Sequence, residues 1–318
     1  MDLSFPPTRS SFYARADTTT TSSASSATTS KPFLGYTPSN PLSAIGIICF
    51  AAAAAGLTYG LIRGRWRARY MLAMVIGAYT ITAGFVMRFP LRSNPNSEGI
   101  YILEDLLILL SPCAFIATEY SLLGRQALLT GTDEFLIVKA SLLAKLFVGS
   151  DVATFLIQAG GGSMSISKNA STQKLGANLF KIGIILQFAS FALFCLVLAF
   201  WLSRVHKKAP HVWNISEGAG WREDWKSVAY AQLLSCACIL IRSIYRTASG
   251  LQGYRGSLAT SQAAFYIFDS LPCFIAIGVY VIVWPGNYID PDRIAKGGYG
   301  TEALKGGYAP SRENLNTA

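Results

Sequence analysis

Residues 175–203 read LGANLFKIGIILQFASFALFCLVLAFWLS, and this stretch decides the fold. Lys181 is its one charge; Leu, Ile, Ala and Phe fill whole turns without strand-like alternation. About 20 mainly apolar residues suffice to carry a helix across the hydrocarbon core. A membrane β-strand would instead show alternating segments of about ten residues. Working outward from this run, six more of the same kind appear, at 42–62, 70–89, 100–123, 135–159, 227–246 and 263–284. The expectation is an all-α polytopic membrane protein, a seven-transmembrane-helix bundle. The fourth and sixth spans are the least regular, because Lys139, Lys145, Asp151 and Arg242 interrupt them.

Composition agrees. Of 318 residues, 52% are hydrophobic and 14% charged, with a mean hydropathy of +0.37. Soluble domains carry about 25% charge, and a water-soluble fold of this composition would expose large apolar patches. A disulfide mini-protein, a disordered chain and most soluble enzymes are excluded. Residues 1–40 are rich in Ser and Thr and hold no apolar core of the signal-peptide kind, so a disordered extracellular tail is expected. The transmembrane domain then covers 41–286, and 287–318, with Lys-Gly-Gly-Tyr at 296–299 and 305–308, reads as a flexible cytosolic tail.

Orientation follows from the Lys and Arg count in alternate connections. One side receives fourteen, including Arg63, Arg65, Arg67 and Arg69; the other receives nine, with Arg88, Arg92 and Arg246 among them. The N-terminus is therefore expected outside and the C-terminus in the cytosol. The basic surplus becomes an orientation signal with attraction to anionic lipid rather than to nucleic acid. Asn169-Ala-Ser171 is then a glycosylation acceptor on the outer side, whereas Asn214-Ile-Ser216 falls in a cytosolic connection.

Catalytic and metal chemistry find little footing. Cys49, Cys113, Cys195, Cys236, Cys238 and Cys273 all lie in spans and read as small apolar residues. His206 and His211 match no nucleophile or carboxylate spacing, and no Gly-rich loop precedes a Lys-Ser or Lys-Thr pair. No cofactor and no metal is expected, and no ATP hydrolysis by this chain.

What remains is charge inside the bilayer, which costs about 2.5–3.5 kcal/mol at a helix centre on insertion scales and therefore faces partners. Asp151, Thr154 and Gln158 share one face of the fourth span; Arg242, Tyr245 and Arg246 share one of the sixth. Tyr266 and Asp269 precede Pro272 in the seventh, and Glu104 and Asp105 begin the third. At about 1.5 Å per residue, Asp151 lies about 12 Å, Arg242 about 6 Å below Arg246, and Asp269 about 9 Å from the outer side. A polar cavity opening outward is expected, with Asp151 or Asp269 paired to Arg242. Such pairs also serve merely to fix helix register. Gly160-Gly161-Gly162 reads as a loop, the Ala51–Ala55 run with Gly56 and Gly60 as a close-packing face, and Pro112 as a kink.

These residues resemble the fungal RTA-like family of seven-helix lipid-translocating exporters, named for resistance to aminocholesterol. The matching stretches include Gly35-Tyr36-Thr-Pro38-Ser39, Gly84-Phe85 with Arg88, Ser111-Pro112, Tyr120 and Gly124-Arg125. Lys145-Leu-Phe147-Val-Gly-Ser-Asp151 followed by Gln158-Ala-Gly160-Gly161-Gly162 is the most specific. Gly183, Gln187, Arg242-Ser-Ile-Tyr245-Arg246, Gly250, Phe265-Tyr266-Ile-Phe-Asp269 and Pro285-Gly286 complete the pattern. The chain departs from it where family members carry acids: Ala248 and Ser249, Gln262, and residues 80–83 are uncharged. The resemblance implies a membrane partner and a lipid or amphiphilic small molecule: a sphingoid base, a sterol analogue, a porphyrin or a toxic compound. The substrate head group is expected to meet Asp151, Gln158, Arg242 and Asp269, with Gln187, Tyr245, Arg246 and Tyr266 as further cavity candidates and Glu104, Asp105 and Glu119 supplementing the missing acids. The plasma membrane is the expected location, with vacuole and endoplasmic reticulum as alternatives, and no oligomeric state is indicated. An alternative reading is a seven-helix receptor or membrane-stress sensor that binds an amphiphile and signals through cytosolic loops.

Overall fold

The computed structural model describes residues 39–64, 67–94, 97–165, 167, 169–213, 224–253, 256–258, 260–289 and 294. The Asn214 pattern and nearly all of both expected tails lie outside these residues. Among the described residues seven helices are long and apolar enough to cross a membrane. They are α1 (Asn40–Arg63), α2 (Leu72–Ser93), α3 (Glu98–Thr130), α4 (Ala140–Met164), α5 (Ala170–Lys208) and α6 (Trp225–Gln252). The seventh span, α7, opens at Gln262–Ala264, passes through a π-helical stretch Phe265–Ser270 and continues as Leu271–Ile282.

Side-chain caps set several starts. Asn169 Oδ1 accepts from the Ser171 amide at 3.2 Å, Asp224 Oδ1 from Lys226 at 2.9 Å, and Ser261 Oγ from Ala264 at 3.3 Å. Each satisfies an amide that has no partner within its helix. At the other end of α3, Gly131 takes a left-handed conformation (φ 65°) and stops the helix.

Each helix packs on its sequence neighbours, and α7 returns to α1 to close the ring. Gly56 and Gly60 make that closure: a Cβ on either would stand 2.8 Å from Val281 or Trp284. Besides α2 and α4, α3 also meets α5 and α6, so it is the interior helix. Its Ser111, Phe115, Glu119, Tyr120 and Leu123 are fully buried. The outer surface is apolar instead: Ile48 is 67%, Leu196 67% and Ile282 71% exposed. Acyl chains solvate such residues at no cost, so burial in this protein marks packing and polar chemistry rather than hydrophobicity.

Several boundaries differ from the sequence reading. Residues 133–135 form a separate 3₁₀ turn and Lys139 is the N-cap of α4, so the first interrupting charge lies outside the helix. The three glycines 160–162 are not a loop; they continue α4 to Met164. A Cβ on Gly161 would approach the Phe180 amide nitrogen to 2.5 Å, and one on Gly176 the Ser165 amide to 2.6 Å. Their missing side chains let α4 and α5 touch through backbone, the small-residue contact that lipid-embedded helices favour. Arg88 and Arg246, assigned from sequence to outer connections, are inside α2 and α6, and Glu104 and Asp105 sit two turns into α3.

Candidate functional site

Charged residues from four helices meet at the end of the bundle where α1 begins. Proline chemistry places two of them. Pro112 has no amide hydrogen, so the Ile108 carbonyl one turn earlier lacks its helical donor. Arg242 Nη2 reaches across from α6 and donates to that oxygen at 2.8 Å, and Ser111 Oγ adds a second bond at 3.0 Å. On α7 the π-helical stretch directly precedes Pro272, and such turns re-aim the side chains they carry. Asp269 sits within it, 1% exposed, and faces the arginines of α6.

Arg242 Nη1 ion-pairs with Asp269 Oδ1. Arg246 Nε donates to the same oxygen at 2.8 Å, its Nη2 to Oδ2 at 3.4 Å, and its Nη1 to Asp105 Oδ1 at 3.3 Å. Arg88 stands 3.6 Å from Glu104 Oε1, with its guanidinium 4.3 Å from the centre of the Phe265 ring. Glu104, Arg88, Arg242 and Asp269 are each 5% exposed or less. Buried charges endure only when paired and hydrogen-bonded, and Arg242 and Asp269 meet that condition.

A cavity of about 200 Å³ opens beside the layer. Arg88, Glu104, Asp105, Tyr245 and Arg246 form its charged wall, with Tyr101; Ile108, Leu109, Ala177, Phe180, Ile184 and Phe265 form its apolar wall. Lys181 stands at the α5 side. Two smaller spaces adjoin it. One, of about 40 Å³, is bordered by Gln158, Gln187, Arg242 and Arg246; the other, of about 30 Å³, by Tyr101, Asp105, Gln158 and Phe180.

The residues expected from sequence divide accordingly. Glu104, Asp105, Tyr245 and Arg246 line the main cavity, while Arg242 and Asp269 lie directly behind it. Gln158 Nε2 donates to Gln187 Oε1 at 2.6 Å and Gln187 to Cys113 Sγ at 3.2 Å, which places both amides in the adjoining space. Asp151 is elsewhere. Its Oδ2 accepts from Tyr120 OH at 2.7 Å, within the aromatic packing of Tyr120, Phe147 and Phe194, so Asp269 and not Asp151 is the partner of Arg242. Tyr266 turns toward α2, 5.5 Å from the Arg88 guanidinium, and is not part of the cavity wall.

Sequence reasoning missed Arg88, Tyr101, Phe180 and Lys181 as wall residues. Arg88 carried a readable signal, because Phe89, Pro90 and Leu91 extend the apolar run beyond it. Lys181 carried one too, as the single charge of the most apolar span. Of a second polar centre the sequence reading named only Glu119, as a supplementing acid, and none of its partners. Glu119, fully buried, accepts from Ser235 Oγ at 2.5 Å and Tyr280 OH at 2.8 Å, and Gln232 Nε2 donates to its carbonyl at 2.8 Å. This centre ties α3, α6 and α7 together about 21 Å along α3 from Asp105.

Fold and site together define a multi-pass integral membrane protein of seven helices with an ion-paired cavity at one end. The family model described as "RTA1 like protein" matches residues 74–292, and the chain belongs to that family. Its relatives include Protein RTA1 of Saccharomyces cerevisiae, 31% identical over 214 residues, which are 67% of this chain and 65% of that protein. The lipid-translocating exporter-like protein RTA1 of Ajellomyces capsulatus is 23% identical over 256 residues, 78% of this chain and 79% of the relative. The sphingoid long-chain base transporter RSB1 of Saccharomyces cerevisiae is 23% identical over 255 residues, 71% of this chain and 66% of the relative. The chain therefore spans slightly under two thirds of the length of Protein RTA1 and of the sphingoid base transporter. No solved structure matches it.

Proposed function

We propose that this protein moves a lipid-like amphiphile across the bilayer and thereby confers resistance to such compounds, without hydrolysing ATP itself. The carrying observation is the two-sided lining of the cavity. Paired charges on α2, α3 and α6 offer a polar head group directional partners, while Phe180, Ile184 and Leu109 offer its tail an apolar path. A head group leaving water loses hydrogen bonds worth several kcal/mol unless the protein replaces them. The names of the exporter-like and sphingoid base relatives support transport rather than catalysis. In this reading the cavity faces outward, with the N-terminus and Asn169 on the outer side and the basic cluster at 63–69 in the cytosol. Residues 1–40 and 287–318 are the outer and cytosolic tails of a transmembrane domain at 41–286, and the plasma membrane is the host. Reconstitution into phosphatidylcholine liposomes with labelled single-chain amphiphiles bearing an amine, a phosphate or a carboxylate head tests it. At least one of these probes should gain protection from an external quencher only in vesicles containing the chain, and Asp105→Ala should slow that gain; rates equal to those of empty vesicles for all three would refute it.

A second reading, an amphiphile receptor or stress sensor, draws on the other end of the bundle. There Trp225 meets Trp201 and Trp213 edge to face, and the Trp201 indole donates to Thr132 Oγ1 at 3.2 Å. A bundle sealed by aromatics on one side suits ligand binding without passage. Binding in detergent with no net movement in liposomes would favour it.

A further inference from the structure

We infer that the cavity selects an amphiphile whose head group is anionic, and that Lys181 is the residue that sets this preference. The inference rests on the translocation reading above for its biological setting, but on charge counting for its content. Among the described residues three carboxylates line or back the cavity, and each already holds an arginine: Glu104 with Arg88, Asp105 with Arg246, and Asp269 with Arg242 and Arg246. Three acids and three arginines cancel. Lys181 is left over, half-buried on the cavity wall, with no ion pair among the described residues.

An ionisable side chain at membrane depth points to a partner that has to be named. A lysine there has two ways to keep its charge: extend the ammonium to the interface, or meet a counter-ion supplied by the ligand. Its place on the wall of a cavity with apolar surface on the same helix favours the second. Ala177, Phe180 and Ile184 present a tail-compatible face of α5 immediately beside the ammonium. An amine head group would bring a second cation to a site that already carries a surplus of one, and like charges at close range repel. A phosphate or carboxylate would instead neutralise the site without breaking any existing ion pair. The preference is thus opposite to that expected for a cationic sphingoid base.

The test uses the full chain in phosphatidylcholine nanodiscs and three tail-labelled single-chain probes of equal length, bearing a phosphate monoester, a carboxylate or a primary amine. Both anionic probes should bind at least about tenfold more tightly than the amine. Whichever of the two binds more tightly identifies whether a phosphate or a carboxylate source fits. Lys181→Arg should keep the preference and Lys181→Glu should abolish it, each with wild-type thermal melting. Should Lys181→Glu not fold, Lys181→Met serves in its place, and the wild-type ratio of the three probes decides independently of any variant. An amine that binds as tightly as the anions, or a ratio unmoved by the folded variants, would overturn the inference. Anion preference without net movement in liposomes would leave it standing and sink translocation; movement with amine preference would do the reverse.

Discussion

Arg242 on α6 donates from Nη2 to the carbonyl of Ile108 on α3, the acceptor that Pro112 leaves without its helical donor. The same guanidinium holds Asp269 on α7 through Nη1. One side chain therefore repairs a backbone defect in the interior helix and neutralises a buried carboxylate. Neither partner alone explains why an arginine stands there: a lysine could pair with the acid, but its single ammonium lacks the planar fork that serves both acceptors at once.

The two roles are separable by a double-mutant cycle. Arg242→Met should destabilise the folded chain by about 1–3 kcal/mol, because Asp269 loses one of its two arginines and the Ile108 carbonyl loses its donor from α6. Pro112→Ala returns an amide hydrogen to the Ile108 carbonyl, so that oxygen no longer depends on α6. In that background the cost of Arg242→Met should fall by up to about 1 kcal/mol, because Ser111 Oγ still donates to that oxygen in either background. Denaturation of purified protein in mixed micelles reads both values. Identical costs in the two backgrounds would mean that the Arg242–Ile108 bond contributes nothing.

The two acids that share Arg246 should differ sharply. The Asp269 side chain is 1% exposed and serves two arginines, whereas that of Asp105 is 30% exposed and serves one. Asp269→Leu is expected to cost several kcal/mol by leaving the buried Arg242 guanidinium without a counter-charge, while Arg246 keeps Asp105. Asp105→Leu should cost under about 1 kcal/mol, as solvent-accessible pairs do. Its effect should appear in ligand binding, since Asp105 lines the cavity. Melting temperatures of the two variants in one detergent check the ranking, and the reverse order would contradict it.

Spans, helix number and the charged faces of α3, α6 and α7 were legible because lipid leaves a coarse signal: long apolar runs broken only where a partner waits. The pairing of Arg242 was not. Asp151 and Asp269 both lie at a suitable depth, and the choice between them depends on a π-helical turn before Pro272 that re-aims Asp269. Asp151 is taken by Tyr120, a residue one helix away whose hydroxyl no periodicity locates. The glycines 160–162 misled for a related reason. In water a Gly-Gly-Gly run breaks a helix at about 1 kcal/mol per residue, but in lipid an unpaired backbone is costlier still, and a neighbouring backbone can occupy the space.

Asn169 links the outer-side assignment to local structure. Its Oδ1 caps α5 through the Ser171 amide and also accepts from Ser171 Oγ at 2.9 Å, while the residue itself is exposed. Asn169→Asp keeps the capping oxygen and removes the amide nitrogen that a glycan needs. Protein expressed in a glycosylating host should then lose its glycosidase-sensitive mobility shift at unchanged thermal stability. Asn169→Ala should lose the shift and about 1 kcal/mol besides. A shift that persists in both variants would place the modification elsewhere, and no shift in the wild type would count against the outer assignment.

The glycine contact between α4 and α5 yields the sharpest contrast, because neighbouring residues of one helix should respond oppositely. A Cβ on Gly160 meets nothing within 4 Å. Gly160→Ala should therefore be neutral or stabilise by up to about 1 kcal/mol, the propensity difference between the two residues. At Gly161 the new methyl group would meet Phe180 N at 2.5 Å, Gly176 O at 2.8 Å and Phe180 Cα at 3.0 Å. All three are backbone atoms, which cannot rotate away, so α5 itself has to move. Overpacking of this kind costs about 1–3 kcal/mol. The displaced turn of α5 carries Ala177, Phe180 and Lys181, so the cavity wall moves with it. Gly161→Ala should thus lower both the melting temperature and the affinity for a bound amphiphile, while Gly160→Ala lowers neither. Equal behaviour of the two variants in melting and in probe binding would show that the close approach of α4 and α5 does not shape the cavity.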